Sequence, residues 1–175
     1  EKNLQDLLFT LTRQTTYPSY GEIIKRGEIT WPEYWSECNS RVHGCLNGIG
    51  GWFQRGILGI QPDPKKVGYK EFIVRPAFHD SLQWAKGHHI SPYGKINVSW
   101  EKTDKIYSLE LTIPDNTSAT VFIPAKAKSD ILENSKPITS DEKIQLLGFK
   151  NNIAELRLGS GNYHFKVIPA PNSLF

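Results

Sequence analysis

The chain has 175 residues, a length that suits one domain or two small ones. Its 38% hydrophobic content supports a lean core, while five Trp and seven Tyr beside a negative mean hydropathy put aromatic rings at the surface. The net charge of +3 is mild and its lysines (Lys65, Lys95, Lys126, Lys143) are scattered among acids, which excludes the basic stripe that nucleic-acid binding uses; no segment is long and apolar enough to span a membrane.

The sequence starts at Glu1 and contains no Met, so the expectation is a piece of a longer protein. From Asn3 to Gln14, Leu4, Leu7, Leu8 and Leu11 recur at i, i+3, i+4 and i+7, which predicts an amphipathic helix. Thr15-Thr16-Tyr17-Pro18 breaks it. Ser19 and Glu22 form a capping-box pattern for a short helix through Lys25, and Gly27 suits its end. Trp31–Glu37 is expected to add a turn of helix. From Val42 to about Leu58, Leu46, Ile49, Trp52, Phe53 and Ile57 keep helical spacing against an unusual glycine load. Each interior glycine costs up to ~1 kcal/mol against Ala, so such a helix needs tight packing in a larger helical domain.

Gln61-Pro62-Asp63-Pro64-Lys65 reads as a boundary, giving residues 1–63 and 64–175 as the two parts. Beyond it the period changes to alternation. Residues 72–74, 82–85, 95–100, 106–113, 119–123, 144–147, 153–158 and 163–168 read as strands. Turn signals at Pro92-Tyr93-Gly94, Pro114-Asp115-Asn116 and Gly159-Ser160-Gly161 separate them, which points to an antiparallel β-sandwich.

The chemistry concentrates between residues 27 and 60. Glu33 sits among Trp31, Tyr34 and Trp35, with His43 a few residues later. A carboxylate among indole rings is a common way to hold a sugar: rings stack on the apolar faces of a pyranose and the carboxylate bonds hydroxyls or moves a proton. Each residue also has a plainer reading. Thr30-Trp31-Pro32-Glu33 fits a helix capping box, a lone His near a helix start is commonly a cap, and aromatics are commonly core. Cys38 and Cys45 flank His43; two unrelated thiols or a small disulfide loop both fit, and a metal site lacks a fourth ligand. His88, His89, Tyr93 and Trp100 invite a second binding site but read as structural.

The order Gly-Glu-Ile-Thr-Trp-Pro-Glu-Tyr-Trp (27–35), Val-His-Gly (42–44), Gly-Gly-Trp-Phe-Gln-Arg-Gly-Ile-Leu-Gly-Ile (50–60) and Gly-Tyr-Lys-Glu-Phe-Ile-Val-Arg-Pro (68–76) resembles the C-terminal part of the α-L-rhamnosidases of glycoside hydrolase family 78. The likeness runs from about Tyr17 to Pro124 and more loosely to the end; its strength lies in the shared order of motifs, none of which is highly specific alone. It implies an α+β two-part fragment: terminal helices of an (α/α)6 barrel followed by a jelly-roll-like antiparallel β-sandwich. It implies an inverting hydrolase of terminal α-L-rhamnose, with Glu33 as general base, His43 on a sugar hydroxyl and Trp31, Trp35 and Tyr34 as sugar contacts. No cofactor and no metal are expected. The partners implied are a rhamnose-containing glycoside or polysaccharide and the remainder of the parent chain, with no nucleic acid and no membrane; the compartment is left open. The family's general acid lies well upstream, so the isolated chain is expected to be inactive.

Several positions depart from the family pattern. Pro32 stands where Trp is usual, Val42 replaces the Asn before His43, Gly51 replaces an acid, and the loop from Glu33 to His43 is short. These departures keep two rivals open: a six-hairpin glycosidase of another sugar specificity, and a non-catalytic carbohydrate-binding or structural β-sandwich module.

Overall fold

The computed structural model describes residues 5–36, 40–41, 43–77, 81–138 and 143–168. The chain divides into two compact units, residues 1–53 and 54–175.

In the first unit, α1 (Gln5–Arg13) follows the leucine spacing, yet it buries no residue, and Leu7 and Leu11 stay about half exposed. The chain then passes a cis Tyr17–Pro18 bond into α2 (Tyr20–Lys25). The buried Ser19 caps α2, its Oγ accepting from the Glu22 amide at 3.1 Å. Glu22 does not close the box; its carboxylate pairs with Arg26 at 3.4 Å, one turn on. Ile23 anchors the helix with no exposed surface, and Gly27, at φ +82°, turns the chain away. Helix α3 (Gly44–Trp52) continues directly into a π-helical turn, Phe53–Ile57.

The expected helical turn at residues 31–37 is absent over residues 31–36, and Glu37 lies outside the described residues. The Trp31 carbonyl accepts from the His43 amide (3.3 Å) and the Glu33 amide donates to the Ser40 carbonyl (3.1 Å). Those backbone groups are committed across the loop, so they are not available to a helix. The capping-box reading of Thr30 and Glu33 falls with it. The predicted helix over 42–58 is divided: its last turn widens to the π form.

In the second unit the strands are β1 (Ile60–Pro62), β2 (Glu71–Val74), β3 (Trp84–Ser91), β4 (Gly94–Lys102), β5 (Tyr107–Ile113), β6 (Ser118–Pro124), β7 (Ile131–Glu133), β8 (Lys136–Pro137), β9 (Ile144–Lys150), β10 (Ile153–Leu158) and β11 (Gly161–Val167). They form a five-stranded sheet, β1-β2-β6-β10-β9, and a six-stranded sheet, β3-β4-β5-β11-β7-β8. All pairings are antiparallel except β2 with β6, where Glu71–Val74 run parallel to Ser118–Val121. The parallel contact is possible because the chain leaves this sheet after β2, builds β3–β5 in the other, and returns as β6. Alternation sets the core. Val98, Trp100, Leu109, Leu111, Phe165 and Val167 from one sheet, and Phe72, Val74, Val121, Ile123, Leu156 and Leu158 from the other, are buried. Each such side chain contributes roughly 1.5–3 kcal/mol on leaving water.

Strand β1 ends within the Pro-rich stretch, at Pro62, and pairs with β2. The π turn is also tied into this unit. The Arg55 carbonyl accepts from Gln61 Nε2 (2.8 Å), the Gly56 carbonyl from the Ala77 amide (2.9 Å) and the Ile57 carbonyl from the buried Trp100 Nε1 (2.9 Å). Helix-end carbonyls are thereby satisfied.

Candidate active site

The site is assembled by the loop between α2 and α3. Its two backbone bonds, Trp31 with His43 and Glu33 with Ser40, close the loop like a short hairpin and bring Glu33 and His43 together from ten residues apart. His43 Nε2 lies 3.9 Å from Glu33 Oε1, and both side chains are about one-third exposed. The spacing is too long for a direct hydrogen bond and suits an ion pair when the imidazole is charged.

His43 performs the plainer role as well. It is the N-cap of α3, with extended backbone (φ −131°, ψ 142°) and Nδ1 accepting from the Cys45 amide at 3.4 Å. An accepting Nδ1 carries no proton, so the neutral ring keeps its proton on Nε2, the nitrogen that faces Glu33. The cap thus sets the tautomer that the carboxylate meets.

Trp31 and Trp35 are both held edge-on by one ring, Tyr20, with centroids 5.2 and 5.1 Å away and planes at 81° and 78°. T-shaped contact is favourable because an aromatic ring is positive at its edge and negative on its face. The Tyr20 hydroxyl donates to the Leu46 carbonyl of α3 at 3.3 Å, and burial pushes its phenol above the ordinary tyrosine range. Arg26 adds a second hold, its Nη2 donating to the Trp35 carbonyl at 3.0 Å. Tyr34, by contrast, points to solvent at 60% exposure. Trp52 donates from Nε1 to Gln5 Oε1 at 2.5 Å, which joins α1 to α3. Among the described residues outside α3, an added Cβ at Gly44, Gly48 or Gly50 would find open space.

Sequence reasoning singled out Glu33, His43, Trp31, Trp35 and Tyr34. It missed Tyr20 and Arg26, because each acts on residues nine or more positions away and belongs to no short motif. The other aromatic and imidazole residues of interest take packing roles. Trp100 is core, His89 packs on Tyr69 in a tilted contact (4.1 Å between centroids) and meets Gln54 Nε2 through Nδ1 at 2.6 Å, and Tyr93 lies under the Lys70 ammonium. Cys45 is an exposed thiol, and Cys38 lies outside the described residues. No described helix is long and apolar enough to cross a membrane.

Comparison with known proteins gives the arrangement its context. Residues 1–57 match the family model described as the bacterial alpha-L-rhamnosidase 6 hairpin glycosidase domain, and residues 59–136 match the bacterial alpha-L-rhamnosidase C-terminal domain. A curated alpha-L-rhamnosidase of Alteromonas sp. (strain LOR) is 32% identical over 78% of this chain and 16% of its own length. One from Formosa agariphila is 30% identical over 90% of this chain and 17% of its own. Among solved structures, alpha-L-rhamnosidase from Dictyoglumus thermophilum superposes with a TM-score of 0.78 at 26% identity, covering 91% of this chain and 18% of that one. The Streptomyces avermitilis alpha-L-rhamnosidase, solved in complex with L-rhamnose, gives 0.76 at 26% identity, covering 91% of this chain and 16% of that one. The chain therefore spans only 16–18% of the length of these relatives. With one match ending at residue 57 and the next beginning at 59, the chain belongs to the bacterial α-L-rhamnosidase family, as the end of its six-hairpin glycosidase domain followed by its C-terminal β-sandwich domain.

Proposed function

We propose that this chain is the C-terminal portion of an inverting glycoside hydrolase that removes terminal α-L-rhamnose from glycosides or polysaccharides, with Glu33 as its general base. The observation that carries the reading is the pairing of Glu33 with His43 beside two indoles held by a common ring. Inversion uses two carboxyl groups about 6.5–9.5 Å apart, one protonating the leaving oxygen and the other taking a proton from an attacking water. Glu33 is accessible enough to meet a water, and the indoles two residues to either side of it in the chain suit a pyranose face. His43, with its proton on Nε2 facing Glu33 from 3.9 Å, serves to donate to a sugar hydroxyl bound between them. Trp31, Trp35 and the exposed Tyr34 serve as sugar contacts. The general acid belongs to the remainder of the parent chain, so these 175 residues alone carry half of the machinery. Residues 1–63 and 64–175 are the proposed extents of the catalytic-domain end and the C-terminal domain.

The test is hydrolysis of an aryl α-L-rhamnoside by the full-length parent, its Glu33→Gln variant and this chain alone. The expected result is turnover by the parent, a loss of about 10²–10⁴-fold in the variant, and no turnover by the chain. Normal turnover by Glu33→Gln overturns the base assignment. Turnover by the chain places both carboxyl groups within it. An inactive parent is then screened on other aryl glycosides, where activity would move the specificity to another sugar.

A further inference from the structure

We propose that Tyr20 is the positioning residue of this site, fixing the two indoles beside the base and tying them to the helix that carries His43. The inference rests on the reading of Glu33 as base. One Tyr20 ring touches both Trp31 and Trp35 edge-on, at 5.2 and 5.1 Å. Its hydroxyl reaches the Leu46 carbonyl in the first turn of α3, the helix that His43 caps. Three segments that must keep register for catalysis therefore meet on one side chain: α2, the loop bearing Glu33, and the start of α3.

The rest of α2 is built to hold that ring still. Ser19 caps it, Ile23 is fully buried, and Gly21 lies so close to the end of α1 that an added Cβ would come 2.5 Å from the Gln14 carbonyl oxygen. Arg26, at the far end, bonds the Trp35 carbonyl, so the helix grips that residue through both ring and backbone. Glu33 lies two residues from each indole, and a shift of either moves the base. Tyr20 itself is not placed on the sugar; it acts through Trp31 and Trp35.

The test compares kcat and KM for an aryl α-L-rhamnoside in the full-length parent and in its Tyr20→Phe, Tyr20→Met and Glu33→Gln variants. Tyr20→Met keeps an apolar, flexible side chain of somewhat smaller volume but removes the aromatic ring. It is expected to lower kcat/KM by about 100-fold, the cost of misplacing reacting groups by an ångström, with a rise of about tenfold in KM. Tyr20→Phe keeps the edge and loses one long hydrogen bond, so it is expected to stay within about tenfold of wild type. Adding Trp35→Leu to Tyr20→Met should cost less than the product of the two single losses, because both act through one contact. A merely stabilising tyrosine would reduce the active fraction and leave KM unchanged, and that outcome overturns the proposal. Wild-type kinetics in Tyr20→Met beside an inactive Glu33→Gln overturn it while leaving the base assignment standing. An active Glu33→Gln overturns both. If Tyr20→Met fails to fold, Tyr20→Trp, which displaces both indoles, is read by the same criteria.

Discussion

Under the proposed function His43 holds two jobs in one ring, and the two can be separated. As N-cap it accepts from the Cys45 amide; as site residue it presents Nε2 to Glu33. Asn is a good N-cap but has no ring to reach the carboxylate. His43→Asn in the parent is therefore expected to keep its melting temperature within about 2 °C while losing activity by about tenfold or more. His43→Ala should lose both, with about 1 kcal/mol of stability gone from the cap. Thermal unfolding and rhamnoside kinetics on the two variants would check this, and equal stability losses would mean the cap is idle. The proposed site residues differ in how readily the sequence displays them. Glu33 and His43 stand in a recognisable order of motifs, and the indoles lie beside the acid in the chain. Tyr20 has no such neighbourhood: its partners are 11, 15 and 26 residues away, and only the fold makes them neighbours.

At the scale of elements, alternation and turn chemistry were enough for most of the sandwich. Strands β4, β5, β10 and β11 run close to their predicted ends because buried and exposed residues alternate cleanly. β1, β7 and β8 escaped, being two or three residues long, with Pro in β1 and β8; so short a segment has no period to detect. The same limit applies to the turn after α3, where a glycine decides the path. Gly59 sits at φ +77°, and a Cβ there would come 2.2 Å from the backbone of Arg75 and Pro76. Its carbonyl accepts from the Arg75 amide at 2.9 Å, next to the β1–β2 ladder. Gly59→Ala meets both the left-handed penalty and a backbone it cannot push aside. The expected loss is about 3 kcal/mol, measured as a lower denaturation midpoint of the 175-residue chain. An unchanged midpoint would mean that the segment relaxes freely.

For the molecule as a whole, the second unit depends on bonds between residues far apart in sequence. Arg157 of β10 reaches across β6 to Glu71 of β2 at 3.0 Å and to Ser118 Oγ at 3.2 Å. The Arg157 hydrogen bond, helped by its charge and that of Lys66, holds the Glu71 carboxyl below the usual range. A folded carboxyl that resists its proton contributes stability above the unfolded carboxylate range, and loses it as pH falls through the folded value. Wild-type stability should therefore fall on acidification, and Glu71→Gln should flatten that decline; equal slopes in the two would remove the link. The effect is expected to be modest, because the pair is partly open to solvent.

The parallel contact of β2 with β6 also carries a consequence for how the chain is made. Residues up to Val74 leave the ribosome before β3–β5, and β6 comes after those. At about 5–20 residues per second, the β1–β2 hairpin waits seconds for the strand that covers its inner edge. During that interval Phe72 and Val74, buried in the finished unit, have no β6 beside them. The β1–β2 segment is thus open to a chaperone or to mispairing while the nascent chain grows, and the rate of translation across residues 75–118 sets how long it stays so.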